Sequence, residues 1–282
     1  LATAITNNEF QNDTGLTTIA VTDTTIDATT LAARIDSYDT INGSNTTGMT
    51  LVSGATINVD ADEVDHMLAD ETASRLTISD QNITVEGEIS VSNANLLDAT
   101  TTGTVTATIS SSSVDTLKTL TGTNAYTITI QGSDTGITAS ELTTISNATT
   151  VAIDASAVTG LASDTAANIK TLLTAGNDTA QFTGASFESL ATAVVSDTTL
   201  SGSELADAID QANTATAGTG TVFTISAVNT ITGSEADFTD LLTDAGNTQI
   251  AITDQNLTVN TGEVSVSTAS CLLYTSPSPR DS

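Results

Sequence analysis

Two stretches of the chain repeat one another: LTISDQNITVEGEISVSNA at residues 76–94 and IAITDQNLTVNTGEVSVSTA at residues 250–269. They share a Ser/Thr-Asp-Gln-Asn core, an apolar residue followed by Thr-Val, and a Gly-Glu-apolar-Ser-Val-Ser ending, with one residue inserted near Thr261. Self-similarity of this kind is typical of repeat architectures, in which each unit buries its apolar face against the next. The sequence therefore predicts a tandem array.

A shorter pattern underlies this long match. It consists of a strand with alternating apolar residues, a small loop with one apolar residue, a cap, and a short helical stretch with apolar residues three or four apart. It returns about every 20–30 residues, which is the range of solenoids. Its apolar positions are Ile19, Val21, Ile26, Leu31 and Ile35; Leu51, Ile57, Val64 and Leu68; Ile128, Ile130, Ile137, Leu142 and Ile145; Ile153, Val158, Ile169 and Leu172; Val195, Leu200, Leu205 and Ile209; Phe223, Ile225, Ile231, Phe238 and Leu241.

The helix starts carry a signal of their own. In a capping box a hydroxyl accepts from a backbone N–H one turn on, while an acidic side chain three residues later reaches back to the cap. Four segments fit this pattern in the same phase of the repeat, one of them with Asp as the cap. They are Thr138–Glu141, Ser201–Glu204, Thr232–Glu235 and Asp60–Glu63.

These patterns predict an α/β fold, an elongated right-handed solenoid of strand, turn and short helix. The handedness follows from the strong preference of strand–helix–strand crossovers. An all-β solenoid or tandem β-sandwiches stay open as alternatives, because both also contain Thr-rich alternating strands. We divide the chain into a partial repeat at residues 1–16, a solenoid at 17–270, and a tail at 271–282.

Charge decides which partners the chain can bind. Lys and Arg together number 5 against 34 Asp and Glu, for a net charge of -29. A surface so poor in cations cannot neutralise phosphates, so nucleic acid is excluded as a partner, and anionic membrane surfaces are disfavoured. No run in the sequence reaches the length of a membrane span. Only 3% of residues are aromatic, which predicts a thin, aliphatic core.

The tail at residues 271–282, CLLYTSPSPRDS, differs abruptly in composition from the rest. It holds both prolines and the only cysteine of the chain. The string resembles the translated sequencing-adaptor tail found at the ends of metagenomic reading frames, and a natural Pro-Ser linker is the alternative. We therefore base no redox argument on Cys271. Because the chain starts at Leu1 without a signal-peptide pattern, we expect both ends to be truncated.

The strings DQNITV at residues 80–85 and SELTTISNATTVAIDAS at 140–156 carry a resemblance. They look like the Thr/Asp/Ala-rich tandem-repeat regions of very large surface or secreted proteins of marine bacteria, notably cyanobacteria. The likeness covers most of residues 17–270 and is one of composition and rhythm. It implies an extracellular or cell-surface location and a structural role, as the spacer or stalk of an adhesin or secreted matrix protein, without catalysis or a cofactor.

Two sequence features could suggest an enzyme. The triplet Asp-Thr-Gly of aspartic proteases occurs at residues 13–15 and 134–136, but polar or small residues precede both copies where that family has an apolar pair. We interpret both as turns. The single histidine, His66, lacks a credible nucleophile, and zinc sites are excluded because the ligands are missing. The sequence therefore assigns no catalytic, cofactor-binding or metal-binding residue.

Two binding alternatives remain open. Asp60, Asp62 and Glu71 imitate an EF-hand loop, but Val64 and Asp65 stand at its fifth and sixth positions, where a ligand and glycine are required. Weak Ca²⁺ binding at stacked aspartates remains an alternative. The outward threonines could also form a flat ladder for ice or polysaccharide, although alanines interrupt it. These threonines are Thr106, Thr108, Thr127 and Thr129. Separately, two glycosylation sequons begin at Asn45 and Asn147.

Overall fold

A computed structural model describes residues 18–42, 48–134, 136–218, 220–225, 230–252 and 255–260 of the chain. Within these residues fourteen strands and eight helices follow one another. The strands are β1 Thr18–Val21, β2 Thr25–Asp27, β3 Gly48–Leu51, β4 Thr56–Asp60, β5 Leu76–Thr77, β6 Asn82–Ile89, β7 Val105–Ile109, β8 Ala125–Thr127, β9 Gly160–Asp164, β10 Thr192–Val195, β11 Thr199–Ser201, β12 Val222–Ile225, β13 Thr230–Gly233 and β14 Asn256–Val259. The helices are α1 Ala28–Asn42, α2 Val64–Thr72, α3 Val91–Thr100, α4 Val114–Leu117, α5 Ala139–Asn147, α6 Ala166–Gly176, α7 Gly202–Ala215 and α8 Glu235–Gly246.

The strand pairs that join these elements into sheets are parallel. Parallel neighbours need a crossover connection, and short helices lie in most of these connections. The mixed α/β class is therefore confirmed, and the all-β alternatives do not describe this chain. The elongated right-handed solenoid remains a prediction. No helix of the described residues is long and apolar enough to span a membrane.

The first unit comprises Leu1–Ser110, Thr119–Ile128 and Ala148–Val151. It holds a three-stranded sheet in the order β1-β3-β5 and a five-stranded sheet in the order β2-β4-β6-β7-β8. In the larger sheet the strand register places four buried aliphatic side chains side by side. Burying each one stabilises the fold by roughly 1.5–3 kcal/mol. The four are Ile26, Ile57, Ile83 and Val105.

The second unit comprises Ser111–Lys118, Thr129–Asn147 and Ala152–Ser282. Its two sheets have the orders β12-β10-β9 and β11-β13-β14. Its mostly aliphatic core also includes Phe182 and Phe187, whose ring centroids are 5.2 Å apart. A Cβ at Gly176, near the end of α6, would lie 2.5 Å from the Phe187 ring. Glycine is therefore the residue that lets this ring pack against the helix.

One detail of the predicted unit is wrong. The single apolar residue that the sequence placed in a loop lies within a second short strand in several repeats. Ile26 and Ile57 occupy β2 and β4, while Leu200 and Ile231 occupy β11 and β13. Strands β2, β11 and β13 each have one apolar side chain and so show no alternation that periodicity could reveal, whereas β4 alternates Ile57 with Val59 over only five residues. Several repeats are therefore two short strands followed by a helix.

Two of the predicted capping boxes begin helices as expected. In α5 the amide of Glu141 donates to Thr138 Oγ1 at 3.2 Å, and the amide of Thr138 donates to Glu141 Oε2 at 3.1 Å. At α7 the amide of Glu204 donates to Ser201 Oγ at 3.4 Å. The reciprocal box at Thr138–Glu141 is confirmed, and the hydroxyl half of the box at Ser201 is confirmed.

The other two predicted boxes are wrong. The helix expected at Thr232–Glu235 begins two residues later, where Ser234 and Asp237 form the reciprocal box. Strand β13 pairs with β14 through Gly233, which delays the helix. In the segment Asp60–Glu63, Asp60 is still part of β4, opposite Glu86, and α2 begins at Val64 without a side-chain cap. In both cases the strand ladder extends into the residues that the motif assigned to the cap.

The two units share a longer correspondence. Residues 18–85 and 192–259 align without a gap at a constant offset of 174 residues. The strands β1, β2 and β3 begin and end at positions that correspond to β10, β11 and β12. The alignment extends to unusual backbone positions, since Ser74 and Thr248 correspond and have φ values of 58° and 63°. Much of the pattern therefore folds in the same way twice, although α8 begins at Glu235, three positions earlier in the alignment than α2.

Candidate functional site

Both lysines of the chain join neighbouring helices. Lys118, at the end of α4, contacts Glu141 of α5 at 2.8 Å. Lys170 of α6 contacts Asp207 of α7 at 2.5 Å, but both side chains are well exposed. Exposed ion pairs of this kind contribute about 0–1 kcal/mol. The arginine Arg75 lies in a different environment.

Arg75 is the centre of a largely buried charged cluster in the first unit. Its Nη1 donates to Asp39 Oδ2 of α1 at 2.7 Å, and its Nη2 donates to Asp70 Oδ1 of α2. The Asp70 side chain is 1% exposed and the Arg75 side chain 16%. Asp36 of α1 lies 3.6 Å from Nη1. Burial raises the pKa of Asp70, and the Arg75 charge offsets only part of that increase.

The second unit has the same cluster without its cation. At the offset of 174 residues, Asp36 and Asp70 correspond to Asp210 and Asp244, while the pair Asp39 and Arg75 is replaced by Asn213 and Gln249. The two amides bind each other, since Gln249 Nε2 donates to Asn213 Oδ1. Asp244 is 9% exposed. Burial, followed by the charges of Asp210 and Asp240, raises its pKa to about 6.

This raised pKa predicts that the stability of the second unit falls as pH rises. The unfolded Asp244 ionises near 3.8 and the folded one near 6, so the folded state holds the extra proton between these values. Stability from this group is therefore greatest at low pH and is lost as pH rises from about 4 to 6. We expect Asp244→Asn to raise the free energy of unfolding at pH 7.5 by about 2 kcal/mol. Urea denaturation at several pH values measures it.

The matched control is Asp70→Asn in the first unit. The folded pKa of Asp70 is also raised, but the Arg75 charge offsets part of the cost of burial, so Asp70→Asn is expected to raise stability at pH 7.5 by less than Asp244→Asn does. An equal or larger gain from Asp70→Asn would contradict the assignment of Asp244 as an ionised carboxylate without a cation.

A second set of carboxylates binds helix amides. In the second unit three aspartates accept from the first turn of a helix that lies 20 to 31 residues earlier in the chain. A carboxylate at a helix N-terminus is favourable because the first N–H groups have no partner within the helix and carry partial positive charge. The acceptors are Asp134 for Val114 N of α4, Asp164 for Ser140 N of α5, and Asp197 for Ala166 N of α6.

Asp164 accepts four hydrogen bonds. Its Oδ2 accepts from Ser140 N at 2.8 Å and from Ser140 Oγ at 2.5 Å, while its Oδ1 accepts from Thr165 N at 2.8 Å and Asn168 Nδ2 at 2.7 Å. Burial alone would raise the pKa of this carboxyl, but the hydrogen bonds outweigh burial and lower the pKa. One side chain thereby fixes the starts of both α5 and α6.

We expect Asp164→Asn to lower the free energy of unfolding by about 2 kcal/mol, because an amide cannot accept all four bonds and its NH₂ faces donors. Since the pKa of Asp164 is lowered in the folded state, the ionised side chain stabilises the fold above about pH 4, and this stabilisation is lost as pH falls further. The substitution should therefore matter at pH 7 and fade in acid, as measured by urea denaturation. Asp207→Asn, at the exposed ion pair with Lys170, is the control and should change stability by less than about 0.5 kcal/mol.

The residues suggested by protease-like motifs have other roles. Asp134 Oδ2 accepts from Val114 N at 3.0 Å, and the first triplet, with Thr135 of the second, lies outside the described residues. His66 is 41% exposed on α2, with Nδ1 3.5 Å from Glu63 Oε2. Asp134 therefore caps a helix, and His66 lies at an exposed position of another.

The binding alternatives find limited support in the described residues. Asp60 belongs to a strand ladder and Glu71 to the end of α2, and no group of three or more His, Cys, Asp or Glu in the part of the chain described could hold a metal ion. Thr108 lies beside Thr127, but Thr106 lies beside Ala125, which ends that row. Asn147 ends α5, whereas Asn45 lies outside the description.

The Arg75 cluster and the carboxylate caps were missed by sequence reasoning. Their members are separated by 20 or more residues, so no local motif marks them, although the joint replacement of Asp39 and Arg75 at the 174-residue offset was visible in the sequence. A comparison with known protein-family models finds no match, and a comparison with curated proteins finds no similar sequence.

Proposed function

We propose that this chain is a structural repeat segment, the spacer or stalk of a cell-surface adhesin or secreted matrix protein. The observation that carries the proposal is the use of charged side chains between successive repeats. Asp134, Asp164 and Asp197 each cap a helix from an earlier repeat. Side chains placed this way join one repeat to the next, which is what an array needs to keep its length.

The acidity supports the same role. A net charge of -29 makes separate molecules repel one another and keeps an exposed array in solution. The correspondence at an offset of 174 residues, in which one pattern occurs twice, also supports the array. The proposal assigns no catalytic step and no cofactor, and it places the chain outside the cell in line with the resemblance of its repeats.

Joining complete periods tests the proposal. Because residue 192 corresponds to residue 18, copies of residues 18–191 can be linked end to end without changing the pattern at the junction. For a spacer, the maximum dimension from small-angle scattering should grow by a constant step with each period. A compact assembly would instead increase its radius of gyration only about 1.7-fold from one to four periods, and that result would refute the spacer role.

A further inference from the structure

Strand β14 exposes side chains that its counterpart in the first unit buries. Leu257 and Val259 of β14 correspond to Ile83 and Val85 of β6. Ile83 is 0% and Val85 7% exposed, whereas Leu257 and Val259 are half-buried. β6 has neighbours on both sides, β4 and β7, while β14 has one partner, β13, among the described strands. The difference in burial is therefore located where β7 covers β6.

The backbone of β14 is oriented to accept such a neighbour. In β6 the amide of Asn82 donates to Ala55 O on the β4 side, and the amide of Ile83 donates to Thr104 O on the β7 side. Successive residues of a strand alternate in this way. In the second unit the amide of Asn260 donates to Gly233 O towards β13, so the amides of Leu257 and Val259 point away from β13.

Polar groups next to this edge also match. In the first unit the segment before β7 is hydrogen-bonded to the residues at the start of β6. Thr101 Oγ1 donates to Gln81 O at 2.6 Å, and Thr104 N donates to Asn82 Oδ1 at 2.9 Å. Gln255 and Asn256 stand at the corresponding positions of the second unit. Gln255 is buried as Gln81 is, while Asn256 is exposed.

We propose that the outer edge of β14 binds, in parallel, a strand with the sequence pattern of residues 101–109, presented by a further repeat of the same sequence. This inference rests on the proposed role as an array and names the surface by which the array grows. Main-chain hydrogen bonds at Leu257 and Val259 supply the pairing, and the two half-buried side chains supply the apolar contact.

The test uses the complete chain with residues 99–111 tethered after Ser282 through a flexible Gly-Ser linker. A short tether gives an effective concentration in the millimolar range, which suits a strand of modest affinity. Amide hydrogen exchange is followed by NMR at Leu257 and Val259. We expect exchange at both amides to slow about tenfold or more relative to the untethered chain.

Two variants of the tethered strand serve as controls. Gly103→Val should abolish the slowing, because at this position in the first unit a Cβ would lie 2.5 Å from the carbonyl carbon of Gln81. Thr106→Ser, at an exposed position, should retain it. Unchanged exchange with the native strand, equal slowing with Gly103→Val, or amides already protected in the untethered chain would each overturn the proposal. The scattering test of joined periods is independent of these amides, so a failure of one inference is distinguishable from a failure of the other.

Discussion

Arg75→Gln is expected to lower the free energy of unfolding of the first unit by about 4 kcal/mol at pH 7, because Asp70 would remain buried and ionised without its cation. The Asp70 side chain is 1% exposed, so water cannot replace the guanidinium. Glutamine is the residue that the chain itself carries at the corresponding position, Gln249, so its size is compatible with this packing. Urea denaturation followed by circular dichroism measures the loss.

The double variant Asp70→Asn with Arg75→Gln is the control. It removes the buried charge together with its partner, and we expect it to recover more than half of the loss, since removing both partners of a buried pair is often close to neutral. The single variant should also lose less stability at pH 4 than at pH 7, because burial already raises the pKa of Asp70 and loss of Arg75 raises it further. A pH-independent loss, or no recovery in the double variant, would contradict this account.

The contrast between the two clusters concerns how the position of a single cation changes the electrostatic cost of a buried carboxylate, which composition alone does not reveal. The chain has few cations, and Arg75 is placed where two helices each bring a carboxylate to it, Asp39 and Asp70. In the second unit, Asn213 and Gln249 take the places of Asp39 and Arg75 and leave Asp244 with like charges. The net charge of the cluster is unchanged by this exchange, but the electrostatic contribution to folding is not.

Local signals in the sequence were sufficient for α5 and for the α/β class. The capping box at Thr138–Glu141 and the apolar spacing of Leu142 and Ile145 mark α5 because both depend on residues within one or two turns. The strand β2 was missed because Ile26 is its only apolar residue, and in β4 the alternation of Ile57 with Val59 is short. The burial of Ile26 and Ile57 depends on their lying beside each other in the sheet, a long-range property that periodicity does not contain.

The carboxylate caps show the same limit. The position of Asp164 in the sequence, just before α6, indicates a role at the start of that helix. It does accept hydrogen bonds from Thr165 N and Asn168 Nδ2 there. Its bonds to Ser140 cross 24 positions in sequence, and only parallel stacking brings the two together. Charge counting showed that the chain is acidic, while the fold shows that several of these carboxylates are hydrogen-bonded within it.

Gly103→Val is expected to lower the free energy of unfolding of the first unit by about 3 kcal/mol, since overpacking against a backbone that cannot move costs this much. An added Cβ would lie 2.5 Å from the carbonyl carbon of Gln81 and 2.9 Å from the nitrogen of Asn82. Those atoms begin β6, whose other edge pairs with β4, so a shift that relieved the clash would break a second ladder. The hydrogen bonds that seat this segment, including Thr101 Oγ1 to Gln81 O, would be lost with it.

Urea denaturation measures the total loss, and amide exchange at Ile83, which donates to Thr104 O at 3.0 Å, locates it at the junction of β6 and β7. Gly184→Ala is the control, because an added Cβ there meets nothing within 4 Å, and it should change stability by no more than about 0.5 kcal/mol. If the Ile83 amide stayed protected in Gly103→Val, the pairing of β6 with β7 would not depend on the close approach at Gly103. Loss of protection at Ile83 with β4 still protected would instead show that a repeat can detach from its neighbour at this single contact, as expected when each repeat is held by the one beside it.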